Sequence, residues 1–298
     1  MNCLRSGDWR HCVCFVTALG LFAAKACAQA EPEAAGSRCG DVVAVQTRDG
    51  SVTRYSFMAA TRQPAEAEPI TLLLFPGGSG HVDLDEVGCP KALKGNSLVR
   101  SIAAFSALGF NTALIDAPSD YQGGDGLAGF RTAPHHAADI GELVTGVRAR
   151  TRGAVWVVGT SRGSISAANA AARLSGSAAP DGMVVTSALM AGDSAAKKPW
   201  VAQTIFDLPL ESVRMPVLIV GHAADKCSRS PPELMNRLAG RLRSGRSQVV
   251  TITGGPVFPG PAGLQACEGK SSHGFAEQEI EVAAGIARFV RGGTYEAN

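Results

Sequence analysis

The chain is most constrained where Ala154-Val155-Trp156-Val157-Val158 runs into Gly159-Thr160-Ser161-Arg162-Gly163 and then into the small-residue stretch 164–174. Five consecutive apolar residues closed by glycine read as a buried strand, and the Ala-rich segment after it as a helix. A strand that becomes a helix within so few residues must bend its backbone sharply. Side chains at 159 and 163 would collide with the neighbouring strand and helix, which is the physical reason for glycine at both positions. Such a turn lifts the Ser161 hydroxyl clear of the sheet and sets it beside the unsatisfied N–H groups of a helix N-terminus.

The flanking segments alternate in the same way. Residues 42–47 and 51–58 flank Arg48-Asp49-Gly50, a hairpin signal. A polar connection over 63–69 leads to an apolar run from Ile70 to Phe75, which ends in Pro76-Gly77-Gly78-Ser79-Gly80. Leu98, Ile102, Phe105 and Leu108 place a helix over 97–108, stopped by Gly109. Strands are expected at 112–115, 182–189, 216–221 and 248–252, with helices at 134–150, 231–243 and 275–291. Strand–helix alternation predicts an α/β architecture, a mostly parallel sheet with helices on both faces.

A serine hydroxyl is a poor nucleophile at neutral pH and needs a base, which in turn needs an orienting group. Both are present on later loops. Val217-Leu218-Ile219-Val220 ends in Gly221-His222-Ala223-Ala224-Asp225, and the strand near Ile252 is followed by Ser271-Ser272-His273-Gly274-Phe275. Ser161, Asp225 and His273 therefore follow three different strands, at the edge where open sheets place their ligands. The backbone N–H of Arg162 and a donor in the glycine loop, Gly78 with Gly77 as second choice, are the candidate oxyanion hole. Asp116, at the end of the 112–115 strand, is a substitute acid or a pocket residue. Arg131, clustered with Phe130, His135 and His136, is a candidate pocket wall for an anionic or carbonyl group. His222 is expected to shape the acid loop.

Together Phe75-Pro76-Gly77-Gly78, Gly159-Thr160-Ser161-Arg162-Gly163, Asp225 and His273-Gly274-Phe275 resemble the α/β-hydrolase superfamily. The resemblance spans residues 40–292 and implies an eight-stranded, mostly parallel sheet and hydrolysis through an acyl-enzyme, with no cofactor. Pro76 stands where that family commonly has His. An exported carboxylesterase-like serine hydrolase is the expected activity. A peptidase, amidase or thioesterase would use the same triad, and a non-catalytic binding member of the fold is the third reading. Residues 190–215 leave room for a helix and a short excursion but for no large cap, which favours small acyl substrates.

Arg5 and Arg10 precede an apolar run from Cys12 to Ala24, followed by Ala26-Cys27-Ala28 and Ala28-Gln29-Ala30. This is a secretory signal pattern over residues 1–30, with one domain expected over 31–298. A lipid anchor at Cys27 matches less well. Loss of Arg5, Asp8, Arg10 and Lys25 would leave 25 basic and 25 acidic residues. A near-neutral mature chain argues against nucleic acid as a partner, and no apolar run argues for stable membrane insertion once the signal is gone. The expected location is the periplasm or outside the cell. Cys39, Cys89, Cys227 and Cys267 remain, an even number that suggests two disulfides in an exported chain. Three pairings are possible. If the Asp225 and His273 loops meet, Cys227 and Cys267 meet with them, leaving Cys39 with Cys89. The four are far apart in sequence and form no C-x-x-C, so no metal site is expected.

Overall fold

Side chains alternate across a strand, so a strand apolar at every position must be covered on both faces. The computed structural model, which describes residues 38–62, 68–257 and 259–297, has this sandwich. The signal pattern over 1–30 and much of the 63–69 connection lie outside the described residues. The hairpin is β1 (Asp41–Arg48) and β2 (Ser51–Met58), and β3 is Ile70–Phe75. Two short helices, α1 (Ser97–Arg100) and α2 (Ile102–Ala107), precede β4 (Asn111–Ile115). Then follow α3 (Pro134–Thr151), β5 (Ala154–Thr160), α4 (Gly163–Arg173), β6 (Gly182–Thr186) and β7 (Val217–His222). The chain closes with α5 (Met235–Arg241), β8 (Ser247–Ile252) and α6 (Glu279–Val290).

The eight strands form one sheet in the order β1-β2-β4-β3-β5-β6-β7-β8. β1 with β2 and β2 with β4 are antiparallel, and the remaining pairs are parallel. The pleat divides each central strand between two cores. Leu73, Val155, Val157, Val185 and Ile219 pack with α3, α4 and α5. Leu72, Leu74, Trp156, Val158 and Val220 pack with α1, α2 and α6 on the other face. The strand order reverses between β3 and β5, whose ends lie side by side with Phe75 opposite Gly159. This is the switch point where parallel sheets leave a crevice. Among the described residues no helix is long and apolar enough to cross a membrane.

Four boundaries differ from the sequence expectation, each for a local reason. The 97–108 helix is broken at Ser101, which caps α1 and starts α2. The strand expected over 182–189 stops at Thr186, because Ser187 has φ 41°. The last helix begins at Glu279 rather than at Phe275, because Phe275 and Glu277 adopt left-handed φ values of 52° and 63°. The segment 231–243 starts as a 3-10 turn, Pro232–Leu234, before α5. Between β6 and β7 the chain makes three 3-10 turns (Pro199–Ala202, Ile205–Asp207, Leu210–Ser212) and no α-helix.

Candidate active site

The turn at the end of β5 stores backbone strain at one residue. Ser161 has φ 51°, uncommon for a side chain other than Asn, Asp or Gly. Its N–H donates to the Thr186 carbonyl at 3.0 Å, and the Ser164 hydroxyl donates to the Ser161 carbonyl at 2.6 Å. The glycines flanking it have no space to spare. A Cβ on Gly159 would lie 2.3 Å from the Gly163 carbonyl oxygen, and one on Gly163 would lie 1.8 Å from that of Phe75.

The glycine loop after β3 closes over this turn. A Cβ on Gly77 would sit 2.8 Å from Ser161 Cβ and 3.4 Å from its Oγ, so only glycine lets the loop approach so closely. The Gly77 carbonyl accepts from Gly80 N–H at 3.1 Å. In a trans peptide the following N–H points the opposite way, so Gly78 N–H is turned out of that bend. The amides of Gly77, Gly78 and Arg162 donate to no acceptor among the described residues.

His273 and Asp225 meet on the far side. His273 Nδ1 is 2.9 Å from Asp225 Oδ2, and the two side chains are 3% and 1% exposed. The other carboxylate oxygen, Oδ1, accepts from Cys227 N–H at 2.8 Å. Ser187 Oγ donates to the His273 carbonyl at 2.7 Å. Thr186 and Ser187 at the end of β6 thus tie down Ser161 and His273 respectively. His273 Nε2 is buried and has no hydrogen-bond partner. Its lone pair is unused, and no bond joins it to Ser161 Oγ.

Cys227 and Cys267 are bridged, with Cα atoms 4.6 Å apart, so a covalent tie joins the acid loop to the base loop. Cys39 and Cys89 are bridged as well, joining the chain before β1 to the loop after β3. Asp225, Cys227 and His273 bring one donor atom each within 4.8 Å of one another, but the Cys227 sulfur is already in its disulfide. Replacing Cys227 and Cys267 together with serine is expected to cost about 2–4 kcal/mol, because the link closes a long loop in the unfolded chain. Urea unfolding of the double variant checks this.

Three further positions singled out in the sequence are held by buried contacts. Asp116 is buried and accepts from the N–H groups of Val82, Leu84 and Ala117, and from His81 Nδ1 at 2.9 Å. It shapes the loop after β3 and, with Arg131 and His136, lines a small pocket beneath that loop. Arg131 is buried too, donating to Ser166 Oγ at 2.6 Å and to the Pro76 carbonyl at 3.1 Å. It braces the glycine loop from beneath, and burial together with the Arg162 charge lowers its pKa to about 9. His222 accepts from Ala224 N–H through Nδ1 at 3.0 Å, so its Nε2 proton faces the Gly254 carbonyl and Gln278 Oε1.

Arg100 is a positioning residue that sequence reading did not single out. It donates to the carbonyls of Gly95, Gly269 and Gly274 and pairs with Glu279 at 2.7 Å, clamping the His273 loop from α1.

His136 lies behind Arg131, with Nε2 2.9 Å from Ser166 Oγ. Burial, aided by the charges of Arg131 and Arg48, lowers its pKa from 6.5 to about 3. The unfolded chain takes up this proton near pH 6.5 and the folded chain only near 3. Stability from this group is therefore complete above 6.5 and falls by about 1.4 kcal/mol per unit as pH drops toward 3. Urea titrations at two pH values should show wild type losing about 2 kcal/mol more than His136→Gln between pH 7 and pH 5.

No family model matches this chain, and no curated protein does. Solved structures do match. Est1E from Butyrivibrio proteoclasticus superposes with TM-score 0.54 at 13% identity, over 85% of this chain and 98% of that one. Thermogutta terrifontis esterase 2, phosphonylated by sarin, gives 0.56 at 15%, over 89% and 98%. A Xanthomonas campestris protein described as an α/β serine hydrolase without lid gives 0.52 at 15%, over 84% and 94%. With the eight-stranded sheet, its helices on both faces and a serine at the strained turn after β5, the chain has the α/β-hydrolase fold.

Proposed function

We propose that the protein is an exported serine hydrolase that cleaves a carboxylic ester of a small acyl substrate. The observation that carries this is the buried His273–Asp225 pair at 2.9 Å, held by the end of β6 beside a serine at φ 51°. Ser161 Oγ attacks the ester carbonyl carbon while His273 Nε2 takes the hydroxyl proton. Asp225 holds the imidazole by Nδ1 and stabilises its cationic form. The oxyanion accepts from the backbone N–H groups of Gly78 and Arg162, with Gly77 as the alternative donor to Gly78. The C–O bond breaks, and His273 returns the proton to the departing alcohol. Water then attacks the acyl-enzyme, giving up its proton through His273, and the acid leaves as Ser161 regains its hydrogen.

The short excursion between β6 and β7 supports a lightly covered site. Residues 1–30 are proposed as a removable signal and the rest as one domain, a reading supported by two disulfides. N-terminal sequencing of the secreted protein tests it.

Thermogutta terrifontis esterase 2 is phosphonylated by sarin. A fluorophosphonate probe is accordingly expected to label this chain at Ser161, mapped by peptide mass spectrometry, and to abolish hydrolysis of 4-nitrophenyl acetate. Folded protein that resists the probe, or carries it elsewhere, would remove the hydrolase reading.

A further inference from the structure

The residue after the candidate nucleophile projects a guanidinium whose hydrogen-bonding capacity is unspent. Arg162 makes no side-chain hydrogen bond or ion pair among the described residues. It stacks on the Trp200 ring, whose centroid lies 4.1 Å from the guanidinium carbon. Trp200 belongs to the Pro199–Ala202 turn of the excursion between β6 and β7, and its buried indole Nε1 faces the exposed Asp125 carboxylate. Arg229, 12% exposed, reaches the same place from the chain after β7. It donates to the carbonyls of Ala191 and Val201 at 3.4 and 3.3 Å, and Asp193 stands 3.9 Å off. Arg131, Arg162, Leu189, Trp200 and Arg229 line one small cleft of about 20 Å³.

The charges around this cleft do not balance. Burial and the like charge of Arg229 lower the pKa of Arg162 against the weaker pull of Asp125, and Arg162 acts in the lowering direction on Arg131. Three guanidinium groups thus feel one another across a small space. Two exposed carboxylates offset part of this charge: Asp125, held by Lys198, also attracts Arg162, and Asp193 lies 3.9 Å from Arg229, which leaves three guanidinium groups and Lys198 facing two acids. Unused N–H donors and surplus positive charge call for a ligand that only accepts and is negative. A carboxylate does both, and a guanidinium can bind it with two parallel bonds. The site is also next to the chemistry, since successive Cα atoms lie about 3.8 Å apart and Arg162 follows Ser161 directly.

We propose that Arg162, Trp200 and Arg229 form a recognition cleft for a carboxylate carried by the ester substrate a few bonds from the scissile carbonyl. The proposal rests on the serine-hydrolase reading and names its substrate class: monoesters of dicarboxylic acids, or esters of hydroxy acids.

Matched ester pairs test it. In one arm, 4-nitrophenyl hemiglutarate is compared with its neutral methyl-capped counterpart. In the other, 4-acetoxybenzoate is compared with its methyl ester. Wild-type protein should prefer the anionic member in one arm by about 10-fold or more in kcat/KM, chiefly through KM, and that arm tells whether the acid or the alcohol part bears the charge. Raising ionic strength should shrink the preference. Arg229→Gln should bring it close to 1, Arg229→Lys should keep part of it, and Arg152→Gln, at the opposite end of the sheet, should retain the wild-type ratio. Arg162→Gln serves as the second variant if Arg229→Gln does not fold. Ratios near 1 in both arms for wild type would overturn the cleft while leaving the hydrolase reading intact. If neither arm is hydrolysed and no probe labels Ser161, the hydrolase reading has failed. Calorimetry of monomethyl glutarate with Ser161→Ala protein then decides the cleft: binding removed by Arg229→Gln sustains it, and no binding ends it.

Discussion

Asp225→Asn is expected to lower kcat by about 10⁴-fold with the fold intact. The reason is written in its two oxygens. Oδ1 accepts from the Cys227 amide at 2.8 Å and Oδ2 meets His273 Nδ1 at 2.9 Å. An asparagine has one oxygen and one NH₂. The amide of Cys227 can only donate, so the oxygen must face it, and the NH₂ must face His273. The ring nitrogen there then becomes an acceptor, and the ring proton moves to Nε2. An imidazole protonated at Nε2 cannot take the Ser161 proton. Steady-state kinetics on an activated ester, with circular dichroism as the folding control, reads the loss. A variant within tenfold of wild type would remove Asp225 from its assigned role.

Gly163→Ala is expected to cost more than about 4 kcal/mol, the range reserved for gross steric conflict. The added carbon would lie 1.8 Å from the Phe75 carbonyl oxygen, 2.7 Å from its carbon and 2.9 Å from the Pro76 oxygen. All three are backbone atoms of β3 and its loop, so no side-chain rotation relieves the clash. Either α4 or the glycine loop must retreat by an ångström or more. For a domain of this size the melting temperature should fall by about 10 °C or more. Activity in whatever folds should drop further, since the loop that moves carries Gly77 and Gly78. Thermal unfolding and probe labelling of the soluble fraction measure the two effects separately.

The strands β3, β5 and β7 were legible because each carries a near-continuous apolar run, a pattern that needs cover on both faces. The serine turn was legible because its glycines are required by sterics that act within a few residues. The start of the last helix was not. Phe275-Ala276-Glu277-Gln278 has no helix breaker, yet Phe275 and Glu277 take left-handed conformations there. Propensity is a weak prior against such tertiary demands. Arg131 was legible as a cleft residue but not as a brace. Its place beside two histidines points to a pocket wall, but nothing local shows that it also holds a carbonyl 55 positions earlier. Arg100 gave no local signal, because the carbonyls it clamps lie up to 174 positions away.

The bridge between Cys227 and Cys267 also bears on when this protein can act. Thiols in a reducing cytosol stay apart, so a newly made chain held there would have its sheet but a slack hinge between carboxylate and imidazole. Oxidation after translocation would draw the two together. If the proposed export holds, such a hydrolase would stay dormant among the esters of its own cell and wake beyond the membrane.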